Sequence, residues 1–406
     1  MNEGPVMILA GEPSGDILAA ELVTALAQSS SPSGAPSFEH FFGAGGPSMR
    51  QSGVEILHEL TGMSVIGPVD VARRYFQFRK IFFDLLRAAE ARRPSLVILV
   101  DFSHFNHRFA AAIRQRAHRT QGAWNPKIVK YVSPQVWASR PGRARSMERD
   151  LDLLLCLFPF EPAWYAARTP QLRVRYVGHP VLDRYPRAAT QPPPERIRNQ
   201  VVLLPGSREG ELRRHWPVMV EMTQRIPHTQ FLAVLPTQSL LDRARLQLPR
   251  DTSIRLQVGG LADALRQSRI AVASTGSVTM ECAYFGIPTV ALYKTSFLTY
   301  IIGKQLVSVR HLAMPNILAE REVMPEFVQG EATADNLSAA AQALLSDTER
   351  WSAMHEALLK ITASLGAPGA SQRAATFIQE LMDESPPTSL HSPPHPPVGA
   401  VAKEAS

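Results

Sequence analysis

Short apolar runs alternate with segments of helical periodicity through most of this chain of 406 residues. The runs have the length of buried strands and the segments between them that of crossover helices, which is typical of parallel α/β sheets. Two successive sets of runs therefore predict two parallel-sheet domains. Strands are predicted at 6–10, 39–42, 96–101, 127–132, 151–157 and 174–177, and then at 201–204, 230–235, 253–258, 270–273 and 289–293. Helices are predicted at 17–28, 78–92, 214–225 and 277–285.

A proline-rich stretch, "YPRAATQPPPERIRNQ" at 185–200, separates the two sets of strands. Its composition is that of a linker. We therefore predict a first domain over 1–185, a linker over 186–200 and a second domain over 201–345, followed by C-terminal helices over 346–383. The tail over 384–406 is rich in Pro, Ser and His. It has too little apolar area to offset its chain entropy, so we expect it to be disordered.

The net charge of +7 favours an anionic partner, which could be a nucleic acid, a nucleotide or a membrane surface. No recognised nucleic-acid module accompanies the charge, so we expect no nucleic-acid partner. No segment approaches the roughly 20 apolar residues of a membrane-spanning helix, and the N-terminal stretch lacks a signal-peptide pattern. We therefore expect a cytoplasmic protein whose membrane contact is peripheral.

Residues 10–16 read "AGEPSGD" and lie between a predicted strand and a predicted helix. They match neither the G-x-G-x-x-G pattern of dinucleotide binding nor the Walker phosphate loop, so classical NAD binding and P-loop ATP hydrolysis lose support. We expect Ser14 to cap a helix that begins near Gly15, where the missing side chain lets a ligand approach the backbone. The alternative is an ordinary turn between a strand and a helix.

Two further turns are predicted at the same edge of the first sheet. "GAGGPSM" at 43–49 follows one strand, and "VDFSHFN" at 100–106 places Asp101 at the end of another. Ligands of open α/β sheets bind at the carboxyl ends of the strands. Asp101 could there accept a proton from a substrate hydroxyl, with His104 as a rival base. The alternatives for Asp101 are a helix cap and a structural hydrogen bond.

A glycine turn in the second domain, "LLPGSREGEL" at 203–212, places Gly206, Ser207 and Arg208 at or just before a helix N-terminus. Backbone amides and a guanidinium in that position can bind phosphate. The alternative is a surface ion pair between Arg208 and the neighbouring Glu209 and Glu211.

The stretch "ASTGSVTMECAYFGIPTV" at 273–290 combines small residues with a glutamate. Gly276 and Ser277 would let phosphates meet the helix N-terminus, and Glu281 could accept the hydroxyls of a ribose. This pattern resembles the nucleotide-sugar half of GT-B glycosyltransferases. The alternative is a helix that serves only packing.

An aromatic and basic segment covers residues 65–93. Tyr75, Phe78 and Phe82 fall on one side of the predicted helix, and cations including Arg79 surround them. Such a helix can lie in an anionic membrane interface, with its aromatic rings immersed and its cations at the headgroups. The alternative is an amphipathic helix packed on its own sheet.

The chain resembles the lipid-A-disaccharide synthases, which form glycosyltransferase family 19, over about residues 5–330. The resemblance rests on motifs in the family's order. They are "AGEPSGD", "GAGGPSM", "MSVIGPVDV", "VDFSHFN", "YVSPQVWA", "FPFEPAWY", "VGHPVLD", "LLPGSREGEL", "STGSVTMECAYFGIPTV" and "MPNILAEREVMPEFVQ". The resemblance implies an inverting GT-B enzyme, with two Rossmann-like domains facing an interdomain cleft and C-terminal helices that return to the first domain.

The implied reaction joins UDP-2,3-diacylglucosamine to 2,3-diacylglucosamine 1-phosphate (lipid X), giving a β(1→6)-linked disaccharide 1-phosphate and UDP. Asp101 and Arg208 match the positions that the family requires for activity. Asp101 would deprotonate the 6-hydroxyl, and Arg208 with the helix N-terminus at Gly276 would stabilise the leaving UDP. The sequence has no Asp-x-Asp motif, and we expect neither a metal nor a cofactor.

Further site residues follow from the resemblance. The UDP-sugar site is expected at Gly206, Ser207, Arg208, Gly276, Ser277, Glu281, Asn316, Glu326 and Gln329, and the acceptor side at Ser14, Gly15, His104 and Ser133. Tyr75, Phe78, Arg79 and Phe82 are expected at the anionic inner face of the cytoplasmic membrane, and a homodimer is compatible with the sequence. Arg140, Arg143, Arg145 and Arg149 either extend the positive surface or bind the acceptor's 1-phosphate.

Two positions depart from the family's pattern. His104 stands where a second acid is usual, and Ser139 stands where a second tryptophan is common. The competing interpretations are another GT-B enzyme, such as a UDP-N-acetylglucosamine 2-epimerase or a transferase with a soluble acceptor, and a catalytically silent nucleotide-sugar-binding or scaffold protein. Retention of both Asp101 and Arg208 argues against a silent protein.

Overall fold

The computed structural model describes residues 4–29, 38–61, 68–185, 199–296, 300–301 and 309–384, and for 68–75 it describes the backbone only. The predicted linker therefore lies outside the described residues except for Asn199 and Gln200. The predicted disordered tail lies outside them except for Glu384.

The first domain is built on a parallel sheet of seven strands in the order β3-β2-β1-β4-β5-β6-β7. The strands are β1 (Val6–Ala10), β2 (Phe41–Gly45), β3 (Glu55–Glu59), β4 (Leu96–Val100), β5 (Lys127–Tyr131), β6 (Leu153–Cys156) and β7 (Val174–Tyr176). Its helices are α1 (Pro13–Gln28), α2 (Pro47–Gln51), α3 (Pro68–Arg92), α4 (Ser103–Arg119), α5 (Ala144–Asp150), α6 (Glu161–Ala166) and α7 (Val181–Arg184).

The second domain is built on a parallel sheet of six strands in the order β10-β9-β8-β11-β12-β13. The strands are β8 (Gln200–Leu204), β9 (Gln230–Leu235), β10 (Ile254–Val258), β11 (Ile270–Ser274), β12 (Thr289–Tyr293) and β13 (Glu326–Val328). Its helices are α8 (Glu209–Thr223), α9 (Gln238–Arg245), α10 (Leu261–Gln267), α11 (Ser277–Tyr284), α12 (Met314–Ala319), α13 (Ala334–Ser346) and α14 (Thr348–Ala363).

The central strands are continuous apolar runs because helices cover both faces of each sheet. Every residue of β1, "VMILA", and of β4, "LVILV", is buried, and the two strands pair in register from Val6 with Leu96 onward. All strands of a sheet are parallel, so their carboxyl ends share one edge. The loops that follow β1, β4 and β5 therefore meet there.

Every predicted strand is present, with some ends shifted, but β3 and β13 were not predicted. Both lie at the edge of a sheet, and their residues are only partly buried or exposed. An edge strand has one hydrogen-bonded neighbour and needs no continuous apolar run, so "EILHE" and "EFV" carry little strand signal.

Helix α1 begins earlier than predicted. Its first residue is Pro13, and the N-cap position belongs to Glu12. The predicted cap at Ser14 is therefore wrong: proline suits the first helical position because its fixed φ is helical and its missing N–H needs no partner there. Ser14 lies inside the first turn instead. The predicted helix start near Arg208 is confirmed, since Arg208 is the N-cap of α8.

The last helix, α15 (Ala370–Asp383), packs on the first domain after the chain has completed the second. It lies against α1 and against β5 and β6. The Arg373 Nε donates to the carbonyl of Val177 at 2.7 Å, and the Asp183 carboxylate accepts the backbone N–H of Ala370 at 2.8 Å. Both acceptors belong to the first domain. Among the described residues, none of the helices is both long and apolar enough to cross a membrane.

Candidate active site

A cavity of about 480 Å³ lies between the carboxyl ends of the two sheets. Ser14, Asp101 and Ser133 line it from the first domain, after β1, β4 and β5 respectively. Gly276 and Ser277 line it from the second domain, at the N-terminus of α11. Residues from the two domains thus line one cavity.

The loop "AGEPSGD" is shaped around the turn that carries Asp101. A side chain at Gly11 would overlap the ring of Phe102, and Gly15 faces the Cβ of Asp101. The next residue, Asp16, is buried and accepts the backbone N–H groups of Gly46 at 2.8 Å, Ser48 at 2.9 Å and Met49 at 3.1 Å. The loop therefore fixes both the aspartate turn and the second glycine turn of the first domain.

Asp101 itself has an unusual backbone conformation. Its φ is 43°, and that of Phe102 is also 43°, so two successive residues without a glycine's freedom are left-handed. The Asp101 carbonyl accepts hydrogen bonds from Asn106 Nδ2 at 3.0 Å and from Lys130 Nζ. Burial lowers the pKa of Lys130 to about 8, against the opposing effect of the Asp101 charge. Asn106 and Lys130 thus hold the turn that brings Asp101 to the cavity.

Arg208 lies at the junction of the domains and connects them. Its guanidinium forms an ion pair with Glu12 of the first domain and another with Glu211 at 3.0 Å. Glu211 also accepts the N–H of Ser207 at 2.9 Å. Gly206 has a φ of 122°, which favours glycine, and a side chain there would overlap Glu211. Arg208 and the Ser207 N–H thus bind carboxylates here, and the pair with Glu211 is one that the sequence offered as the alternative to an anion site.

The N-terminus of α11 is open toward the cavity. Its N-cap, Gly276, has no side chain to accept the first-turn N–H groups. Glu281 is one turn further and faces Arg184 of the first domain, at 3.7 Å. Burial raises the pKa of Glu281, and Arg184 partly opposes this. Arg184 also pairs with Glu21 at 3.1 Å, so one guanidinium joins carboxylates of both domains.

Three residues predicted to contact UDP have structural partners. The Asn316 side chain is fully buried and accepts the N–H groups of Val323 at 2.7 Å and Met324 at 2.8 Å. Glu326 accepts the N–H groups of Leu312 at 2.8 Å and Ala313 at 2.9 Å, because the chain turns around it.

Gln329 likewise accepts the N–H of Thr295 at 2.7 Å. Of the segment around Asn316, it is Leu312 and Met314 that line the cavity. The fully buried Asn316 side chain therefore lies behind the cavity wall, whereas the UDP contacts of the partly exposed Glu326 and Gln329 stay predictions.

On the acceptor side, the structure separates two predicted residues. Ser133 is almost fully buried at the cavity wall, and its hydroxyl is 3.1 Å from that of Tyr165. His104 is exposed on α4, beyond the cavity-lining Ser103. Burial lowers the pKa of His104, and the charges of Arg108, Arg143 and Arg140 lower it further.

His179 lies at the cavity although its motif, "VGHPVLD", predicted no site residue. Its ring lines the cavity, and its Nδ1 accepts the N–H of Val181 at 3.2 Å. Burial lowers the pKa of His179 to about 3, and Arg184 adds to this. His179 is therefore neutral near pH 7, with its proton on Nε2.

Of the predicted membrane-contact residues, Phe78 and Phe82 lie on a different face of α3 from Arg79. Phe78 and Phe82 are half-buried: Phe82 packs edge-on against Phe105 and Phe109, with ring centroids 5.3 and 5.7 Å apart. Membrane contact through these two rings is therefore corrected, because they form part of the core between α3 and α4. Arg79 is exposed over the ring of Phe83, as predicted for a surface cation.

Phe76 and Phe83 are the exposed aromatic residues of the described part of α3, 64% and 44% accessible. The side chain of Tyr75 lies outside the described residues. Within the part of the chain that the structure describes, no group of three or more His, Cys, Asp or Glu side chains could hold a metal ion.

The arrangement has a definite chemical character. A carboxylate faces the cavity from one domain, and a helix N-terminus faces it from the other. The first can accept a proton, and the second can stabilise a developing negative charge. A cavity with these two walls suits transfer of a group from an anionic leaving group to a hydroxyl.

Known proteins with similar structures have the GT-B fold. The UDP-GlcNAc 2-epimerase of Neisseria meningitidis has a TM-score of 0.61 at 12% identity, with 93% of this chain and 100% of that chain covered. MurG of Acinetobacter baumannii has a TM-score of 0.53 at 14% identity, with 93% and 99% covered. The predicted GT-B architecture is thus confirmed.

Sequence comparison identifies the family. A family model described as lipid-A-disaccharide synthetase matches residues 6–381. The lipid-A-disaccharide synthase of Syntrophus aciditrophicus is 34% identical over 401 residues, which cover 95% of this chain and 100% of that protein. That of Geobacter sulfurreducens is 35% identical over 393 residues, with 93% and 97% covered. With its GT-B fold and its cleft between two parallel sheets, the chain belongs to the lipid-A-disaccharide synthase family.

Proposed function

We propose that this chain transfers 2,3-diacylglucosamine from UDP-2,3-diacylglucosamine to the 6-hydroxyl of 2,3-diacylglucosamine 1-phosphate. The products are UDP and a β(1→6)-linked disaccharide 1-phosphate. The observation that carries the proposal is that Asp101 of the first domain and the N-terminus of α11 of the second line one cavity. A donor bound at α11 would present its sugar to a hydroxyl held beside Asp101.

The reaction is a single in-line displacement that inverts the anomeric carbon. The acceptor oxygen forms a bond to C1 while the bond from C1 to the UDP phosphate oxygen breaks. Asp101 accepts the proton that the 6-hydroxyl loses as it attacks. Negative charge grows on the leaving phosphate. The N–H groups in the first turn of α11, which begins at Gly276 and Ser277, stabilise it.

Arg208 is proposed to bind the diphosphate together with the backbone of Gly206 and Ser207. The structure supports this because the guanidinium and the Ser207 N–H already bind carboxylate oxygens, those of Glu12 and Glu211. Carboxylate and phosphate oxygens are bound by an arginine in the same bidentate manner. Donor binding would then exchange one anionic partner for another.

The remaining binding residues keep proposed roles that suit their places. Glu281 would accept ribose hydroxyls once Arg184 is displaced from it. Ser14, Gly15 and Ser133 would contact the acceptor sugar, since all three lie at or beside the Asp101 wall. The neutral His179 would donate an Nε2–H hydrogen bond to a sugar oxygen.

Peripheral binding to the inner face of the cytoplasmic membrane would bring this cleft to its acylated substrates. The exposed stripe of α3 supports it, because Phe76 and Phe83 are accessible and Arg79 and Lys80 lie between them. Aromatic rings and cations on one helical face suit an anionic interface.

The test is an assay with purified protein, both acylated substrates and a chelator, in which UDP and disaccharide are measured together. Stoichiometric appearance of both products is expected. UDP release without disaccharide would mean that the protein hydrolyses the donor, and the proposed transfer would be wrong.

Asp101→Asn tests the proposed base. The amide cannot accept the proton, so kcat should fall by about a hundredfold or more. UDP affinity, measured by calorimetry, should stay within about twofold of the wild type. Asp101 lies on the first-domain side of the cavity, whereas UDP is proposed to bind the second domain. Near-normal turnover of Asp101→Asn would assign the base to another group.

A further inference from the structure

The face of α4 that begins beside the cavity carries two imidazoles and a guanidinium. His104, His107 and Arg108 lie at positions i, i+3 and i+4, so their side chains share one face. Ser103, which lines the cavity, immediately precedes them. Because a helix rises only about 1.5 Å per residue, this face begins within one turn of the cavity wall.

The turn before α5 packs against this face of α4. His107 Nε2 is 3.0 Å from Ser146 Oγ, which donates to the Arg143 carbonyl at 2.8 Å. These bonds fix the short 3-10 helix Pro141–Arg143 against α4. Arg108 lies one turn after His104 on α4, and Arg140 and Arg143 stand at the two ends of this 3-10 helix. Their charges, together with burial, lower the pKa of His104.

Within the described residues, none of Arg108, Arg140 and Arg143 forms an ion pair. Neighbouring arginines do: Arg149 binds both oxygens of Asp150, at 2.7 and 2.8 Å, and Arg114 pairs with Asp152. Carboxylates thus neutralise Arg114 and Arg149, whereas the cluster around His104 is left positive.

The same place also receives the N-terminus of α4. The N-cap residue is Phe102, whose side chain cannot accept the first-turn N–H groups. A helix of 17 residues with an open first turn favours an anion there. Two independent features, the guanidinium cluster and the open helix end, therefore favour the same kind of ligand.

We propose that Arg108, Arg140, Arg143 and the first turn of α4 bind the phosphate monoester of the acceptor. This rests on the proposed transfer reaction and adds a subsite to it. In the acceptor, the 1-phosphate and the reacting 6-hydroxyl lie at opposite ends of the sugar. With the 6-hydroxyl beside Asp101, the phosphate can reach the rim of the cleft, where α4 continues from the Asp101 turn. Arg145 and Arg149 are not part of this subsite.

A phospholipid headgroup offers the same phosphate oxygens, so the experiment compares two acceptors in neutral detergent micelles without anionic lipid. One is 2,3-diacylglucosamine 1-phosphate, and the other is the same glycolipid without its phosphate. The variants are Arg108→Ala and the double variant Arg140→Ala/Arg143→Ala. Arg145→Ala is the matched control, because it removes one exposed cation of α5 from outside the cluster.

For the phosphorylated acceptor, the double variant should raise KM by about tenfold or more, because it removes charge-assisted hydrogen bonds to the phosphate. Its kcat should change by less than about twofold. For the unphosphorylated acceptor, KM should be nearly unaffected by the variants, and Arg145→Ala should match the wild type with both. Thermal unfolding and UDP affinity, measured in parallel, should be those of the wild type.

Equal effects on both acceptors, or none, would overturn the subsite. A loss that appears only when anionic vesicles replace the micelles would assign the cluster to lipid headgroups and overturn it as well. Failure of the proposed reaction has a different signature, because the wild type would then form no disaccharide. An active wild type whose variants do not discriminate between the acceptors contradicts the subsite alone.

Discussion

Lys130 is a charged side chain in the middle of a buried strand, 4% exposed, and its ammonium donates to the carbonyl of Asp101. Burial lowers its pKa from 10.5 to about 8, an effect that the Asp101 charge only partly offsets. The folded protein therefore loses this proton at a lower pH than the unfolded chain. The resulting cost to stability is complete below pH 8 and disappears as the pH rises toward 10.5.

Lys130→Met removes this titration and keeps the length of the side chain. Between pH 7.5 and 10.5, the unfolding free energy of the wild type should rise by about 3 kcal/mol relative to the variant. Denaturant titrations of both proteins across this range measure the difference. Buried tyrosines that titrate at high pH are present in both proteins and cancel. Parallel pH profiles would contradict the assignment.

For single residues, the position relative to a strand determined what could be predicted. Asp101 and Arg208 follow apolar strands, so their location at the ligand edge was evident from the sequence. Lys130 lies inside strand β5, and the sequence does not show that its ammonium binds the loop that follows β4. Asn316 shows the opposite problem. A polar residue in a motif can bind the backbone of its own loop rather than the ligand, and the sequence does not distinguish the two.

Helix α3 has two aromatic faces with different environments. Phe82 packs into the core against α4, whereas Phe76 and Phe83 are exposed. The sequence predicted an amphipathic helix but assigned Phe78 and Phe82 to the outer side. Aromatic and basic residues occur all around this helix, so composition alone does not show which rings face the core.

The double variant Phe76→Ser/Phe83→Ser should weaken binding to anionic vesicles by about thirtyfold or more, because each buried aromatic ring contributes more than 1 kcal/mol to interfacial binding. Co-sedimentation at low and high salt measures this, and UDP affinity should not change. Undiminished sedimentation would contradict a membrane role for the stripe.

Phe82→Ala is the control within the same helix. Its ring contacts Phe105 and Phe109, so its removal should lower the unfolding free energy by about 3 kcal/mol, whereas the surface double variant should change it by less than about 1 kcal/mol. Equal destabilisation by both variants would show that the exposed rings also support the fold.

Across the whole molecule, the two domains are joined by side chains as well as by the backbone. Arg184 pairs with Glu21 and Glu281, and the Tyr284 hydroxyl donates to the Tyr185 carbonyl at 2.6 Å. Asp183, next to Arg184, accepts the first N–H groups of α15. The segment that leaves the first domain therefore holds the helix that returns to it.

Asp183→Ala removes the carboxylate that caps the N-terminus of α15 from the first domain. The unfolding free energy should fall by about 1–2 kcal/mol, and amides in the first turns of α15 should exchange roughly tenfold faster. Asp183→Asn retains an acceptor oxygen and should lie between the variant and the wild type. Hydrogen exchange followed by mass spectrometry measures both, and unchanged protection of α15 would contradict the capping role.

Two ion pairs between the domains lie against one helix, and their spacing has a mechanical consequence. Glu12, the N-cap residue of α1, binds Arg208 of the second domain. Glu21 lies nine residues further along α1 and binds Arg184, which also faces Glu281 of the second domain. At 1.5 Å per residue, the two contacts are about 13 Å apart. A rotation of the second domain by about ten degrees around the Arg184 end would move the Arg208 end by about 2 Å. Such a rotation would separate Arg208 from Glu12 while the contact between Arg184 and Glu281 stays nearly unchanged.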